Sequence, residues 1–491
     1  MPLRIGSEKD FEVARDFFQK AGFNDQNVCH AAGIEDIAEL GGARWEARDL
    51  NSYPPMLRWC VEVFLRGLKA SESDARSVCG EKTLAALRNL GLIRKSRKEA
   101  QAVVSPVWVY PADGFVMVSD RRDDPEGGTF APPADVVFPA IYPGTLRFLR
   151  LLPDIPGAEA LDLCGGSGIG ALRLSRSARQ ALTADITERS AFFADFNARL
   201  NGAPARSLRG DLYEPVAGRQ FDLITAHPPF VPAIGDNMVY RDGGATGEEI
   251  TRRIIEGLPA HLRAGGMAIV LCVVRDTEQQ PFERRAFEWL GTGRDQFDVI
   301  FGLEKILAVQ EVVDSMRKRG QNFGEAQAAE LRERLRSFAT KQFVYGALVA
   351  RRYGEKIGQQ PARVRMAPSA SATDFQRLLD WRAHCRQPGL QTWLANSSPR
   401  MVPELELTAR HTVRNGELVP AEFVFSTENS FPAALRIDGW AVPLVARMDG
   451  KRSVTELFEQ AQKDNELPKG FGLEAFTDLI RMMIERGFLK R

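Results

Sequence analysis

The sequence predicts an α/β protein centred on a doubly wound parallel sheet, with a smaller winged-helix-like α+β part at each end. Three observations predict the centre. A glycine-rich turn, Leu161-Asp-Leu-Cys-Gly-Gly-Ser-Gly-Ile-Gly170, joins an apolar strand to a helix; Asp185 and Asp211 each close a further short strand; and a fourth apolar strand stops at His227-Pro-Pro-Phe230. In open sheets of this class, ligands lie outside the carboxyl ends of the strands, where all of these residues fall.

Residues 1–135 read as a first domain. Helical periods span Glu8 to Ala21 and Pro55 to Gly67, Ser71 or Ser73 is placed to cap a short helix, Gly91 ends the helix that opens at Glu81, and Val103 to Val118 alternates as a hairpin does. Helix, helix, hairpin is the winged-helix order. Arg121 to Gly128, rich in glycine and acid and followed by Pro132 and Pro133, reads as the linker to a central domain at 136–353.

Within that domain, Ala158 to Leu163 is the first strand. The glycines at 165, 166, 168 and 170 let the backbone turn with positive φ and approach a ligand before Ala171 opens a helix. Asp162, just ahead of the turn, repels a pyrophosphate and suits a cationic group, and the glycine spacing misses the dinucleotide pattern. The bland alternative is a structural turn.

Ala181 to Ile186 carries the second strand, with Asp185 roughly twenty residues past the glycines, where two carboxylate oxygens match a ribose diol. Asp185 also stands where an N-cap belongs, ahead of a helix from Ser190 to Leu200 that Asn201-Gly202 ends, and the two roles are compatible. Arg206 to Asp211 is the third strand; Asp211 is placed to accept from an adenine amino group and Leu212 to cover the ring. Gln220 to Ala226 is the fourth, after which Pro228 and Pro229 fix a rigid loop at the edge where a substrate sits.

A helix from Thr251, a strand over Gly266 to Val274, a helix over Pro281 to Leu290, and strands at Phe297 to Leu303 and Phe343 to Ala350 complete the sheet. Between the last two strands, Asp314 to Thr340 is charged and helical in period. Its Arg317, Lys318, Arg319, Arg332, Arg334 and Arg336 either meet a polyanion or are balanced on a solvated helix by Glu325, Glu330 and Glu333. Residues 354–372 are polar and contain proline, a hinge composition ahead of a third domain at 373–491. There, Asp438 to Phe458 resembles small winged-helix peptide-binding modules related to pyrroloquinoline-quinone biosynthesis. Asp449-Gly450 reads as a turn, Ser453 as an N-cap, and Phe476 to Leu489 as an amphipathic helix that Gly487 ends.

The set Asp162-Leu-Cys-Gly-Gly-Ser-Gly168, Asp185, Gly210-Asp-Leu-Tyr-Glu-Pro215, His227-Pro-Pro-Phe230 and Tyr240-Arg-Asp-Gly-Gly-Ala-Thr-Gly247 resembles class I S-adenosylmethionine-dependent methyltransferases of the small-methyltransferase group. That group includes release-factor glutamine methyltransferases and RNA and DNA amino-methyltransferases, and the resemblance covers residues 140–353. It implies a seven-stranded Rossmann-like core with S-adenosyl-L-methionine as cofactor. The cofactor site it implies is Asp162, Cys164, Gly165, Gly166, Gly168, Asp185, Ile186, Asp211 and Leu212. The catalytic set it implies is His227, Pro228, Pro229 and Phe230, with residue 227 and the Pro228 carbonyl holding the nucleophile and Phe230 as a wall.

The chain departs from the group at two positions. Residue 227 is usually Asn, whereas a neutral imidazole offers one acceptor nitrogen and can take a proton near neutral pH. His227 therefore replaces Asn as the acceptor for an amine, acts as general base toward a hydroxyl or other acidic nucleophile, or marks a drifted copy. Cys164 stands where glycine is more usual, and a small thiol fits a buried turn.

Composition narrows the function classes. The 491 residues are 44% hydrophobic, with 65 Lys and Arg against 64 Asp and Glu, enough chain for more than one core and too balanced for a large basic surface on nucleic acid. The six cysteines form no Cys-x-x-Cys pair and the five histidines are scattered, so there is no metal signature, and reduced thiols and a cytoplasmic address are expected. No apolar run reaches the roughly twenty residues of a membrane span, and the first residues lack a signal core. The expected activity is S-adenosylmethionine-dependent methylation of a nitrogen on a macromolecule, RNA or protein, presented by the flanking modules. The alternatives are a small-molecule biosynthetic O- or N-methyltransferase with His227 as base, and a non-catalytic protein whose degenerate core holds only cofactor or a partner.

Overall fold

The computed structural model describes residues 2–233, 239, 242–319, 323–403 and 405–490. The chain divides into two units, Met1–Val299 with Ile306–Pro361, and Ile300–Lys305 with Ala362–Arg491.

The central sheet contains β1 (Glu159–Leu163), β2 (Gln180–Asp185), β3 (Ala205–Arg209), β4 (Phe221–Ala226), β5 (Leu262–Thr277), β6 (Phe297–Leu307), β7 (Thr340–Arg352) and β8 (Ala362–Arg365). Their order across the sheet is β8-β6-β7-β5-β4-β1-β2-β3. The first five strands pair in parallel and β7 runs antiparallel to β5, so the sheet is mixed. It has eight strands where seven are expected. The extra one lies inside the stretch 354–372 read as a hinge: Ala362–Arg365 pairs in parallel with Ile300–Leu303, both within the second unit. A polar Arg-Val-Arg alternation suits an edge strand, which is why its composition reads as loop.

The inner strands carry near-continuous apolar runs because both faces are covered. Ile224, Val270 and Leu271 are fully buried, each worth about 1.5–3 kcal/mol. Helices α1 (Ile169–Leu174), α2 (Glu188–Asn201), α3 (Glu249–His261) and α4 (Phe282–Trp289) connect the strands. Thr187 caps α2 by accepting from the Ser190 N–H, and Gly202, at φ +61°, ends it.

Upstream, Ser71 caps Glu72–Cys79 by accepting from the Asp74 N–H. Glu81–Asn89 then leads to Arg94–Lys95 and Ala102–Val104, which form a three-stranded antiparallel sheet with Ala70–Ser71. The alternation from Val103 to Val118 thus serves two sheets, since Val107–Ala112 and Phe115–Asp120 make a separate hairpin. Pro106 marks the break, having no N–H to carry a ladder onward.

That hairpin is tied to α2. The Val118 N–H donates to Asn197 Oδ1 at 2.8 Å, Asn197 Nδ2 donates to the carbonyls of Val118 and Ser167, and Arg189 pairs with Asp120. Arg121–Gly128, read as a linker, is anchored instead: the buried Arg121 guanidinium donates to the Phe64 carbonyl, and the buried Glu126 accepts from Ser96 Oγ at 2.7 Å and the Arg97 N–H at 2.6 Å.

In the second unit, Ala372–His384 and Leu390–Asn396 precede an antiparallel sheet of Leu405–Arg414, Glu417–Thr427 and Ala433–Ile437, then helices Ala441–Ala446, Val454–Lys463 and Leu473–Glu485. Trp381, Leu394, Phe425, Leu444, Leu457 and Phe476 share its core. Ser453 forms a capping box with Glu456, and Gly487 has φ +78° just beyond the last helix. The three-stranded sheet is absent from the sequence-based expectations, although Asn415-Gly416 between alternating runs is a hairpin signal. Among the described residues no helix is long and apolar enough to cross a membrane.

Candidate active site

Strand register brings the predicted residues to one edge. Leu163 of β1 pairs with Ala226 of β4 and Ala184 of β2, and Asp185 pairs with Arg209 of β3. Cys164, Asp185, Asp211 and His227 therefore leave the sheet side by side at its carboxyl ends.

Asp162 is buried, and its Oδ1 accepts from Thr225 Oγ1 at 2.8 Å across β1 and β4. A Cβ on Gly170 would lie 2.3 Å from Asp162 Oδ2, and one on Gly165 would lie 1.7 Å from Thr183 Oγ1, so neither position has room for a side chain. Burial raises the Asp162 carboxyl to about 7; the Thr225 bond opposes the shift and the Asp185 charge adds to it. Cys164, at φ +57°, has its thiol pushed well up, first by burial and then by Asp185, Asp162 and Asp211. Three carboxylates thus surround one turn, and Arg253 offsets them through its pair with Asp211 at 2.8 Å.

Asp185 holds the glycine turn itself: Oδ2 accepts from the Gly166 N–H at 3.0 Å and Oδ1 from the Thr187 N–H at 3.1 Å. The helix cap falls to Thr187, two residues later. Ile186 is 53% exposed at this edge, whereas Leu212, at φ +52°, is turned inward and 8% exposed. Positive φ at Cys164 and Leu212 costs on the order of 1–3 kcal/mol each, and such outliers gather at ligand sites.

The His227 ring stacks with Phe148 at 5.6 Å between centroids and 29°, and with Phe230 at 6.3 Å and 25°. A Cβ on Gly144 would lie 3.4 Å from its Cε1. No described residue hydrogen-bonds the ring. Burial draws the imidazole down to about 4, so it is neutral at pH 7 and does not titrate near neutrality as an exposed histidine does. A neutral imidazole presents one donor and one acceptor nitrogen.

The loop after Phe230 is laced to the segment that follows it. The Gly243 N–H donates to the Val231 carbonyl at 2.9 Å, the Ala233 N–H to the Gly244 carbonyl at 2.8 Å, and a Cβ on Gly247 would lie 2.4 Å from the Phe230 carbonyl oxygen. Glu248 anchors this lacing from below: it is buried and paired with Arg275 at 2.8 Å and with Arg285, while Arg275 also donates to Thr340 Oγ1 on β7 at 2.8 Å. Tyr240 and Arg241 lie outside the described residues.

The charged insertion is two helices, Val309–Arg319 and Glu325–Ser337. Arg317 and Arg332 pair with Glu325, Arg334 with Glu330, and Arg336 with Glu333, which favours the balanced reading over contact with a polyanion. Arg334 also donates to the Ala233 carbonyl at 2.7 Å, bringing the insertion to the loop beside His227. The Arg319 side chain lies outside the described residues.

Sequence reasoning missed Thr225, Phe148, Gly144 and Glu248. Thr225 had a signal, a hydroxyl inside an apolar strand that must find a buried partner. Phe148 had none, because its helix, Pro143–Arg150, lies far from position 227 in sequence.

Residues 140–288 match the family profile of the methyltransferase small domain. The ribosomal protein uL3 glutamine methyltransferase of Bradyrhizobium diazoefficiens is 30% identical over 30% of this chain and 52% of its own length. The release factor glutamine methyltransferase of Geobacter sulfurreducens is 29% identical over 25% and 47%. The ribosomal RNA small subunit methyltransferase C of Alcanivorax borkumensis is 29% identical over 23% and 31%. The chain spans about half the length of the first two relatives. Over residues 140–288, therefore, the chain is similar to the methyltransferase small domain.

Proposed function

We propose that the chain transfers a methyl group from S-adenosylmethionine to a nitrogen on a macromolecule, and that this acceptor is a protein rather than an RNA. The observation that carries the reading is the neutral His227 ring, without a hydrogen-bond partner among the described residues, at the sheet edge beside an acid-lined glycine turn.

The residues fit the cofactor. Asp185 and Asp211 give the turn negative charge that suits a cationic ligand, Asp162 lies buried beneath it with its carboxyl raised to about 7, and Gly165 and Gly170 leave no Cβ in the way. Gly165, Gly166, Gly168 and Cys164 would pack against the methionine portion, Asp185 would take the ribose, and Asp211, with Ile186 and Leu212, the adenine. When bound, S-adenosylmethionine supplies an electrophilic methyl on a sulfonium.

The protein's own work is positioning. His227 accepts a hydrogen bond from the acceptor amine alongside the Pro228 carbonyl, Pro229 stiffens the loop, and Phe230 and Phe148 flank the imidazole. An imidazole held near 4 is poorly matched to removing a proton from a hydroxyl at neutral pH, which weighs against the general-base alternative.

Support for a macromolecular acceptor comes from the relatives, whose names specify ribosomal protein, release factor and ribosomal RNA. The internally paired arginines of the insertion and the balanced net charge favour protein. We read the flanks, 1–135 and 373–491, as winged-helix-like modules that present the acceptor, and the sheet as a seven-strand core with β8 added. The N-terminal reading is supported by Glu72–Cys79, Glu81–Asn89 and the three short strands that follow the winged-helix order.

Replacing His227 tests the role directly. His227→Asn keeps an acceptor and should retain activity within about tenfold, while the wild-type rate should hold level from pH 8 down to about pH 5. A loss of about a hundredfold in the Asn variant, with a wild-type acid limb near neutrality, would assign His227 to proton transfer instead.

A further inference from the structure

The hairpin of the second unit carries apolar side chains that this unit does not cover. Leu405–Arg414 and Glu417–Thr427 pair through the turn at Asn415-Gly416, and Leu405–Arg414 is an edge of its sheet. Leu407, Val413 and Leu418 are 43%, 70% and 72% exposed. At the root of the hairpin the apolar face is supported, since Leu407 faces Phe425, a member of the unit's core. Beyond the irregularity between Arg410 and His411 the strands run past that support, and Val413 faces Leu418 with both side chains in solvent. A long edge with exposed apolar residues is a template for another strand.

We propose that this edge pairs antiparallel with the same edge of a second copy of the chain, joining two three-stranded sheets into one of six. The occupant follows from the strand's own order of residues. With the two-fold axis at Arg410, Leu407 of each copy falls opposite Val413 of the other, and Glu406 falls opposite Arg414. The two large exposed apolar residues of the strand, Leu407 and Val413, thus meet each other across the axis, and Glu406 meets Arg414, on faces that alternate as the pleat requires. The like charges at the axis are offset within each copy, because Arg410 pairs with Glu422 at 2.9 Å. The interface is isologous, as closed dimers require.

The test is independent of any activity: light scattering coupled to size exclusion, with analytical ultracentrifugation, on the full chain from micromolar to sub-millimolar concentration. The wild type should dimerise. Val413→Lys should weaken the dimer by about tenfold or more, and Glu406→Arg and Arg414→Glu should each weaken it by about tenfold. The combined Glu406→Arg, Arg414→Glu variant should recover most of the loss. Residues 406 and 414 are roughly 27 Å apart along one strand, so recovery requires contact between copies. Unchanged circular dichroism in the variants checks that they fold. A wild-type monomer across the range, a dimer indifferent to these substitutions, or single losses that the double variant does not repair would overturn the proposal. A monomer whose hairpin amides gain exchange protection only on adding a different protein would also overturn it, by giving the edge to a foreign strand.

Discussion

Asp162 is held in an environment that opposes its own ionisation. Its folded carboxyl sits near 7, above the ordinary range around 3.8, so the folded state binds more protons than the unfolded state between those values. Stability contributed by the protonated group is complete below about 3.8 and is lost as pH rises toward 7. Asp162→Asn, which keeps an acceptor for Thr225, should therefore raise the melting temperature of the ligand-free protein at pH 8 by several degrees and narrow its pH dependence. An unchanged or lower melting temperature would contradict the burial argument. Asp185→Ala should weaken S-adenosylmethionine by about 1–3 kcal/mol in calorimetry, since it removes a charged acceptor and the Gly166 tether together. Unaltered affinity would remove Asp185 from the site. Asp162, Asp185 and the glycines were legible because each sits at a strand end set by apolar spacing. The lowered pKa of His227 was not, because it comes from burial of the ring beside Phe148 and Phe230, and no local pattern encodes contact with the helix carrying Phe148.

The segment laced to the loop bearing Pro228 to Phe230 is anchored by a buried Arg-Glu-Arg cluster. Removing the Glu248 charge strands two arginines, at a penalty of about 3–5 kcal/mol. Glu248→Gln should raise the acceptor KM and lower kcat while leaving cofactor affinity unchanged, because the glycine turn is built on other strands. Equal loss of cofactor binding in a folded variant would show that Glu248 supports the whole sheet edge. In the N-terminal part, Glu126 is held down to about 2, first by the Ser96 hydroxyl and then by Arg94 and the Arg97 N–H. Its stabilisation is present above the ordinary glutamate range, near 4.5, and is lost as pH falls toward 2. Glu126→Gln should lower stability by about 1–3 kcal/mol at pH 7, with the difference from wild type shrinking on acidification; denaturant melts at several pH values measure it. Helices and inner strands were legible from their period, with boundaries displaced at β5, β6 and β7. The stretches read as hinge and linker hold more ordered structure than their composition suggests, because a polar composition looks like loop whether its charges face water or, as with Arg121 and Glu126, are buried and bonded.

At the scale of the whole molecule, the order of elements along the chain joins a sheet with an acid-lined carboxyl edge to flanks that carry their own small sheets and helices. The central part was readable because its glycines, acids and prolines fall at strand ends set by apolar spacing. The flanks were readable only as runs of elements, because packing modules tolerate many sequences. The proposed reaction is methyl transfer to a protein nitrogen at His227. Its most direct test is incubation of the full chain with tritiated S-adenosylmethionine and a lysate from cells lacking the protein, followed by separate counting of protein, RNA and small-molecule fractions. Label is expected in the protein fraction, resistant to ribonuclease, stable to mild base as an N-methyl group is, and lost with His227→Ala. Label in the RNA or small-molecule fraction, or protein label that persists undiminished in His227→Ala, would contradict it.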